Sequence, residues 1–495
     1  MAGIVAMLFV SAGCGLKPDA VDSLKASGAG GGGLGTAAGD TGNGGAPGAT
    51  APGGSTVSGP SGVSGGSGGA ANGPSGTAST GPNGTTLTGT GPTGGTQTCG
   101  VPTGGTTTGI TSSTINIGLH APLTGTGTPF PNNSFKQGAN TFWQQPGHTV
   151  CGRKVQVDFQ DDGYTPSGAR SVCSDFAKHT FLAVGGGGTD QIQACATQPD
   201  IQRTGTPYLS AGVTTNGLTA LNNYFAVSLT YEQQGNLVLR NAVTQKIANP
   251  PASTQTADHG GKKAVWAIVT GNSPNFDGAT VGMQKALDQA GIPYKTYRQD
   301  QNGDYQAAAT NFGKSLALDG FRTIYVVMAP GYFVFMSGGF YKAGTGIGVN
   351  WVGPGVTYTE VTVAQYLCGA STQGAISGHA WFLAPAPGID RATPDFIRAY
   401  KGNYDDIMWS LWGLSSAIWQ LLKDASNNLT RQNFIATSER AVVPSGVYPA
   451  LDYAHRGGHF GGTGAWVQRV NCFKTEPDQH QPGYWDTIGS TYLRA

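Results

Sequence analysis

Residues 154–210 read KVQVDFQDDGYTPSGARSVCSDFAKHTFLAVGGGGTDQIQACATQPDIQRTGTPYLS, and the alternation within them decides the fold. Lys154–Phe159 alternates apolar and polar residues as a strand does. Ser167–His179 places Val172 and Phe176 on one helical face. Phe181–Val184 is a short apolar strand, Thr189–Ile201 has helical spacing, and Pro207–Ser210 is a strand again. Strands separated by helix-length segments, with no hairpin turn between them, predict a parallel, doubly wound sheet.

The pattern extends in both directions. Upstream, Thr114–Leu119 (TINIGL) is a β-branched strand, and Ser134–Gln145 is a helix with Phe135, Ala139 and Phe142 on one side. Downstream, after a polar loop at Asn249–Lys262, the alternation restarts. Ala264–Val269 (AVWAIV) is a strand and Asp277–Ala290 a helix stopped by Gly291. Tyr294–Tyr297, Tyr305–Leu318, Thr323–Met328, Tyr332–Ala343 and Asn350–Val352 continue strand, helix, strand, helix, strand. The fold class is therefore α/β, with two similar parallel-sheet lobes. Met408–Ala425, carrying Trp409, Trp412 and Trp419, predicts an amphipathic helix that packs back on the first lobe. Two such lobes joined by several crossings leave a cleft at the carboxyl ends of the strands, the usual place for a small ligand.

The segment before the lobes has a different physical character. Between Ala26 and Ile110 the only charged residue is Asp40, no aromatic residue occurs, and Gly supplies more than a third of the positions. Such a chain buries too little apolar surface to offset the entropy of ordering, so residues 15–110 are expected to form a disordered tether spanning about 50 Å. At its start, the apolar run Ile4–Val10 is followed by Ser11, Ala12, Gly13 and Cys14. That order resembles a bacterial lipobox. It implies a leader over residues 1–14, cleavage before Cys14, lipid on its thiol, and an exported, membrane-anchored protein.

Composition narrows the function classes. With 28 Lys and Arg against 27 Asp and Glu the net charge is +1, and no basic stripe points to nucleic acid. No GxSxG, P-loop or dinucleotide fingerprint appears in a strand–turn–helix context. Asp161 and Asp162 form an adjacent carboxylate pair, but at a strand end such residues more often cap the next turn. His455 and His459 are four apart in HRGGHFGG, where the glycines favour a loop over a metal-binding helix. No catalytic residue, metal or cofactor is expected. Beyond Cys14, six cysteines remain: Cys99, Cys151, Cys173, Cys195, Cys368 and Cys472. An even number in an exported chain predicts disulfides, and spacing alone leaves fifteen pairings open.

Read in order, INIGLHAPLTG (Ile115–Gly125), VQVDFQDDGYTPSGA (Val155–Ala169), LAVGGGGTDQ (Leu182–Gln191), GTPYLSAGVTT (Gly205–Thr215) and KAVWAIVTGNSPNFDGATVG (Lys263–Gly282) resemble the solute-binding proteins of ABC importers with the type I periplasmic-binding fold, most of all the leucine/isoleucine/valine-binding group. The resemblance implies two lobes on three hinge strands. Lobe 1 is placed at 111–230 with 381–460 returning to it, lobe 2 at 231–380 with 461–475 returning, and 476–495 is a C-terminal tail. It implies a Cys173–Cys195 disulfide in the first lobe; pairing the others lobe by lobe gives Cys99–Cys151 and Cys368–Cys472. The implied partners are a small ligand and the permease of the importer, with the protein acting as a monomer.

The resemblance also implies ligand contacts. Thr189 opens the helix after the Gly run, where a hydroxyl and free backbone N–H groups hold a ligand carboxylate, and Gly187 and Gly188 permit close approach. Gly212 and Thr214 match a loop that takes the ammonium and carboxylate. Phe130, Phe276 and Tyr332 match aromatic walls. One departure stands out: at Gly355 the amino-acid binders carry an acidic residue that meets the ammonium, and Glu360 is the nearest substitute. A buried ammonium without a carboxylate is costly, so an amide, a simple carboxylate or an aromatic acid competes with an amino acid as ligand. The expected function is capture of a small polar metabolite for import. A ligand-sensing receptor lobe of the same fold is the alternative, and an enzyme is disfavoured.

Overall fold

The structure, a computed structural model, describes residues 87–90, 96–124, 134–248, 258–259, 262–301, 305–344, 348–355, 361–371, 374–401, 404–456, 459–476 and 481–495. Cys14, Phe130 and Glu360 lie outside them.

The first sheet contains β1 (Thr114–Ala121), β2 (Thr149–Val150), β3 (Arg153–Asp161), β4 (Leu182–Gly185), β5 (Tyr208–Ser210) and β6 (Tyr224–Ala226), in the order β2-β3-β1-β4-β5-β6. All its pairings are parallel except β2 with β3. Its connecting helices are α1 (Ser134–Trp143), α2 (Pro166–His179), α3 (Thr189–Ala196) and α4 (Pro199–Thr204). The single helix expected over 189–201 is split in two. Pro199 cannot donate to the preceding turn, and the Gln198 side chain accepts from the N–H groups of Asp200 and Ile201 to start a new helix.

The chain then enters the second lobe through α5 (Tyr231–Thr244), capped by a reciprocal Thr230–Gln233 box. The second sheet holds β7 (Trp266–Gly271), β8 (Tyr294–Gln299), β9 (Thr323–Val327), β10 (Asn350–Pro354), β11 (Ala380–Ala384), β12 (Gly464–Asn471) and β13 (Tyr484–Arg494). Their order is β8-β7-β9-β10-β11-β12-β13. The first five are parallel; β12 and β13 are antiparallel additions. Helices α6 (Asp277–Gln289), α7 (Gln306–Leu318), α8 (Pro330–Lys342) and α9 (Val361–Ala370) connect them. The chain returns to the first lobe after Ala384, as α10 (Pro394–Tyr400), α11 (Asp406–Asp424) and α12 (Arg431–Ser438), and crosses a third time before β12. The protein is thus a two-lobed, parallel-dominated α/β fold.

Three boundaries are corrected by the structure. The return to lobe 1 begins after residue 384, not at 381, because β11 pairs with β10 inside the second sheet. Residues 476–495 are no tail: β13 is an eleven-residue edge strand whose Trp485 is buried in the second core. The tether does not run to residue 110. Leu87–Thr90 pairs with Thr96–Cys99, and the next residues lie on the first lobe, where the Thr103 and Thr106 N–H groups bond Asn428 and Gln432. Threonine-rich, charge-poor sequence orders here because a folded surface supplies its hydrogen-bond partners.

Disulfides join Cys99 to Cys151, Cys173 to Cys195 and Cys368 to Cys472, with no bond crossing between lobes. In the first core Phe142 meets Trp412 and Trp419 of α11 edge-on, at 5.1 and 6.1 Å between ring centres. Arg431 is buried with no carboxylate partner among the described residues; its guanidinium donates to the carbonyls of Ala177, Thr180, Phe181 and Thr204. It thereby ties the ends of α2 and α4 to α12, and burial lowers its pKa to about 10. Among the described residues no helix is long and apolar enough to cross a membrane.

Candidate functional site

The carboxyl ends of the two sheets define where the lobes meet. On the first lobe, β4 ends in Gly185 and the chain turns through Gly186–Gly188 into α3. Gly188 has φ 81°, a left-handed conformation that glycine adopts without strain, and it leaves the first N–H groups of α3 without a side-chain cap. Beneath this turn lies a fully buried polar chain. His120 Nδ1 is 2.8 Å from Asp162 Oδ2, and its Nε2 is 2.7 Å from the Tyr208 hydroxyl. That hydroxyl sits so close under Gly185 that a β-carbon there would fall 2.3 Å from it.

Asp161 does cap the neighbouring turn. Its carboxylate accepts from the N–H groups of Leu123, Thr124 and Gly163 and from the Thr124 hydroxyl. Burial raises its pKa, but these donors outweigh burial and hold it below the ordinary value. Asp161 and Asp162 therefore face different partners and do not form an acid–base pair. His455 and His459 are also separated in use: His455 bonds Asp452, and His459 lies against the Tyr224 carbonyl at 2.8 Å.

The expected ligand residues divide into three groups. Thr189, 8% exposed, has its hydroxyl 3.3 Å from that of Tyr231, and the Tyr231 ring stacks on Phe276 at 6.4 Å. These three come together at the lobe boundary. Gly187, Gly212, Thr214 and Tyr332 already have protein partners. A β-carbon on Gly187 would lie 3.2 Å from the Phe135 ring; on Gly212 it would lie 2.6 Å from the backbone of Ser228 and Leu229. The close approach at both is to the protein's own chain. Gly212 N–H donates to Ser228, and the Thr214 hydroxyl donates to Glu232 at 3.2 Å. Tyr332 is in the second core, its hydroxyl 2.8 Å from Gln299 Oε1 and its pKa pushed up to about 12, by burial first and Asp300 second. The third group, Phe130 and Glu360, is outside the described residues.

Residues that sequence reasoning did not single out join the lobes. Asp190 of α3 accepts from Ser273 and Asn275, which follow β7 in the second lobe. Asn216 donates to Asn275 at 2.8 Å. Glu232, at the start of α5, accepts from the Thr214 hydroxyl and from both N–H and hydroxyl of Thr215. The signal for Asp190 was its place directly after Thr189 in a helix start facing a cleft. Nothing local marks Asn275 or Glu232. The boundary thus combines N–H groups without a side-chain cap, hydroxyls and an aromatic stack, bridged by hydrogen bonds between the lobes, and among the described residues it presents no nucleophile–base pair.

The sequence model described as "Periplasmic binding protein" matches residues 114–477. No functionally curated protein matches in sequence. Among solved structures, a fatty acid ABC transporter substrate-binding protein from Thermomonospora curvata is similar at 17% identity and TM-score 0.59, over 81% of this chain and 97% of that one. A solute-binding protein of an ABC transporter from Rhodopseudomonas palustris BisB5, in complex with 3,4-dihydroxybenzoic acid, is similar at 14% and 0.57, over 77% and 98%. The leucine-binding protein LivK from Thermotoga maritima is similar at 13% and 0.58, over 76% and 98%. At these identities the likeness is one of fold. The two-lobed architecture and the match over residues 114–477 establish that the chain belongs to the periplasmic binding protein family, a family of binding proteins and not of enzymes.

Proposed function

We propose that the chain is an exported, lipid-anchored solute-binding protein that closes its lobes over a small polar metabolite (an amino acid, an amide or a small carboxylate) and presents it to an ABC permease. The observation that carries this reading is the uncapped start of α3 at Gly188–Thr189, placed at the lobe boundary beside Asp190, which reaches across to Ser273 and Asn275. N–H groups left without a side-chain cap at a helix start favour a carboxylate, and the Thr189–Tyr231 hydroxyl pair and the Phe276 ring offer further contacts. The lipobox-like Cys14 and the uncharged segment after it support export and anchoring.

Gly355 is buried and brings no charge to the position where the resembling amino-acid binders carry an acid. The structurally similar proteins named above include a fatty acid transporter's component, a complex with 3,4-dihydroxybenzoic acid and a leucine-binding protein, so the fold accommodates all these chemistries. A thermal-shift screen of amino acids, amides, short carboxylates and aromatic acids tests the reading, since a solute bound only by the folded state raises the melting temperature. At least one class is expected to stabilise the protein in a saturable way. A flat response across all four would defeat the proposal.

A further inference from the structure

A partly open cavity of about 50 Å³ lies where the second crossing passes the first-lobe strand ends. Gly186 and Ala211, which directly precede the candidate ligand segments Gly187–Thr189 and Gly212–Thr214, form part of its wall with Gly185. Pro385 of the crossing, Asp406 and Ser410 of α11 and Gln468 of β12 also line it. The cavity therefore adjoins the cleft at its hinge end and draws on both lobes.

Much of its wall is apolar, with Phe135, Ile407, Leu411 and Leu414 among the lining residues, and a few polar groups are set into that wall. Gln468 is 3% exposed; its Nε2 donates to the Ala386 carbonyl at 3.0 Å, while its Oε1 is buried with no hydrogen-bond partner. Asp406, 7% exposed, is in the first turn of α11, where one of its carboxylate oxygens accepts the Ile407 N–H at 3.0 Å. The Ser410 hydroxyl pairs with that of Tyr448 at 3.1 Å. A buried acceptor without a donor is unfavourable and is normally satisfied by protein, water or ligand. Size limits the occupant: an apolar cavity that takes up benzene measures about 150 Å³, three times this one, so a whole aromatic ring or acyl chain does not enter it. A single nitrogen or carboxamide group does.

We infer that this cavity is the deep subsite of the cleft and receives a nitrogen-centred hydrogen-bond donor of the solute, a protonated amine or a carboxamide, through Gln468 Oε1 and the Asp406 carboxylate. The inference rests on the cleft being the solute site. It narrows the solute to a molecule with a carboxylate at the α3 end and a nitrogen donor at the other. It also supplies, from α11, the negative charge that Gly355 does not.

The test is calorimetry and thermal shift on the full chain with matched probes: 4-aminobutyrate and succinamate carry the nitrogen donor, butyrate and benzoate do not. The nitrogen probes are expected to bind at least tenfold more tightly. Gln468→Met should weaken both nitrogen probes at least tenfold. Asp406→Asn, isosteric and able to keep the Ile407 N–H bond, should weaken 4-aminobutyrate far more than succinamate. That ranking is a readout that general destabilisation does not produce, and it stands if Gln468→Met fails to fold. Equal or tighter binding of butyrate or benzoate overturns the subsite while leaving the solute-binding reading intact. Unchanged nitrogen-probe affinity in both folded variants does the same and assigns the cavity to ordered water only. If no probe of either kind binds, and the wider screen is flat, both readings fall together.

Discussion

Asp190 Oδ1 accepts the side-chain amide of Asn275 at 2.5 Å, so a first-lobe carboxylate beside the proposed solute position is bonded to the second lobe. Ser273 adds a hydroxyl donor at 2.9 Å to the same oxygen. On the proposed closure of the lobes, opening would break both bonds. Asp190→Ala is predicted to favour the open form and to weaken solute binding by about 1.5–3 kcal/mol, the range for hydrogen bonds to a charged group. Small-angle scattering should show a larger radius of gyration without solute, and calorimetry a weaker affinity. A variant that scatters and binds like the parent would remove Asp190 from the closure mechanism.

Thr189→Ala deletes the hydroxyl that meets Tyr231 and leaves the N–H groups of α3 in place. Solute affinity is predicted to fall by roughly 1–2 kcal/mol, the usual cost of a lost hydrogen bond. Calorimetry with the best solute from the screen measures it; an unaltered dissociation constant excludes the contact.

Acid should destabilise the fold through two histidines. His148, packed on Phe142 and Trp419 and bonded to the Phe142 carbonyl, has its pKa lowered first by burial, with Lys423 adding to the effect. His379 is lowered by burial and then by Arg469. With folded values below the unfolded 6.5, the unfolded chain binds more protons as pH falls past that point. Their stabilising effect is complete above pH 6.5 and is lost as pH drops toward the folded values. Asp161, depressed below 3.8, adds a separate loss only under more acid conditions. Melting temperatures measured from pH 7.5 to 5 should decline, and the decline should shrink in a His148→Gln, His379→Gln double variant. A pH slope indifferent to the double substitution would refute the assignment.

The Cys99–Cys151 bond closes a loop of 52 residues of sequence separation and fastens the incoming segment to the first lobe. Replacing both cysteines by serine is predicted to cost on the order of 2–4 kcal/mol of stability. Solute affinity should not change, because both ends of the bond lie in one lobe. Chemical denaturation and calorimetry on the same variant separate the two effects; a large drop in affinity would show that the clip also shapes the cleft.

Much of the fold was legible locally. Strand–helix alternation from Thr114 to Val352 depends on side-chain periodicity, which the order of residues states directly. Pro199 was visible as well, yet the helical periodicity around it concealed the break that its missing N–H enforces. The tail was misjudged because Tyr484–Arg494 is an edge strand with one face toward solvent, so its apolar pattern is weak. Of the candidate site, Thr189 and Phe276 meet through Tyr231, whereas Thr214 and Tyr332 were matched by position but turn to Glu232 and Gln299. A motif position does not state which partner a hydroxyl will find.

Sequence by itself determined most of the elements between Thr114 and Val352, their parallel winding, the division into two lobes and the helix start after the glycines, since each follows from spacing and backbone preference within a short window. Tertiary structure alone decided which polar groups share the boundary. Asp190 meets Asn275 across 85 positions, and Asp406 and Gln468 reach the same cavity as Gly185. Hydrogen bonds and cavities form between surfaces that only the packed lobes bring within a few ångströms, and no local preference encodes that distance.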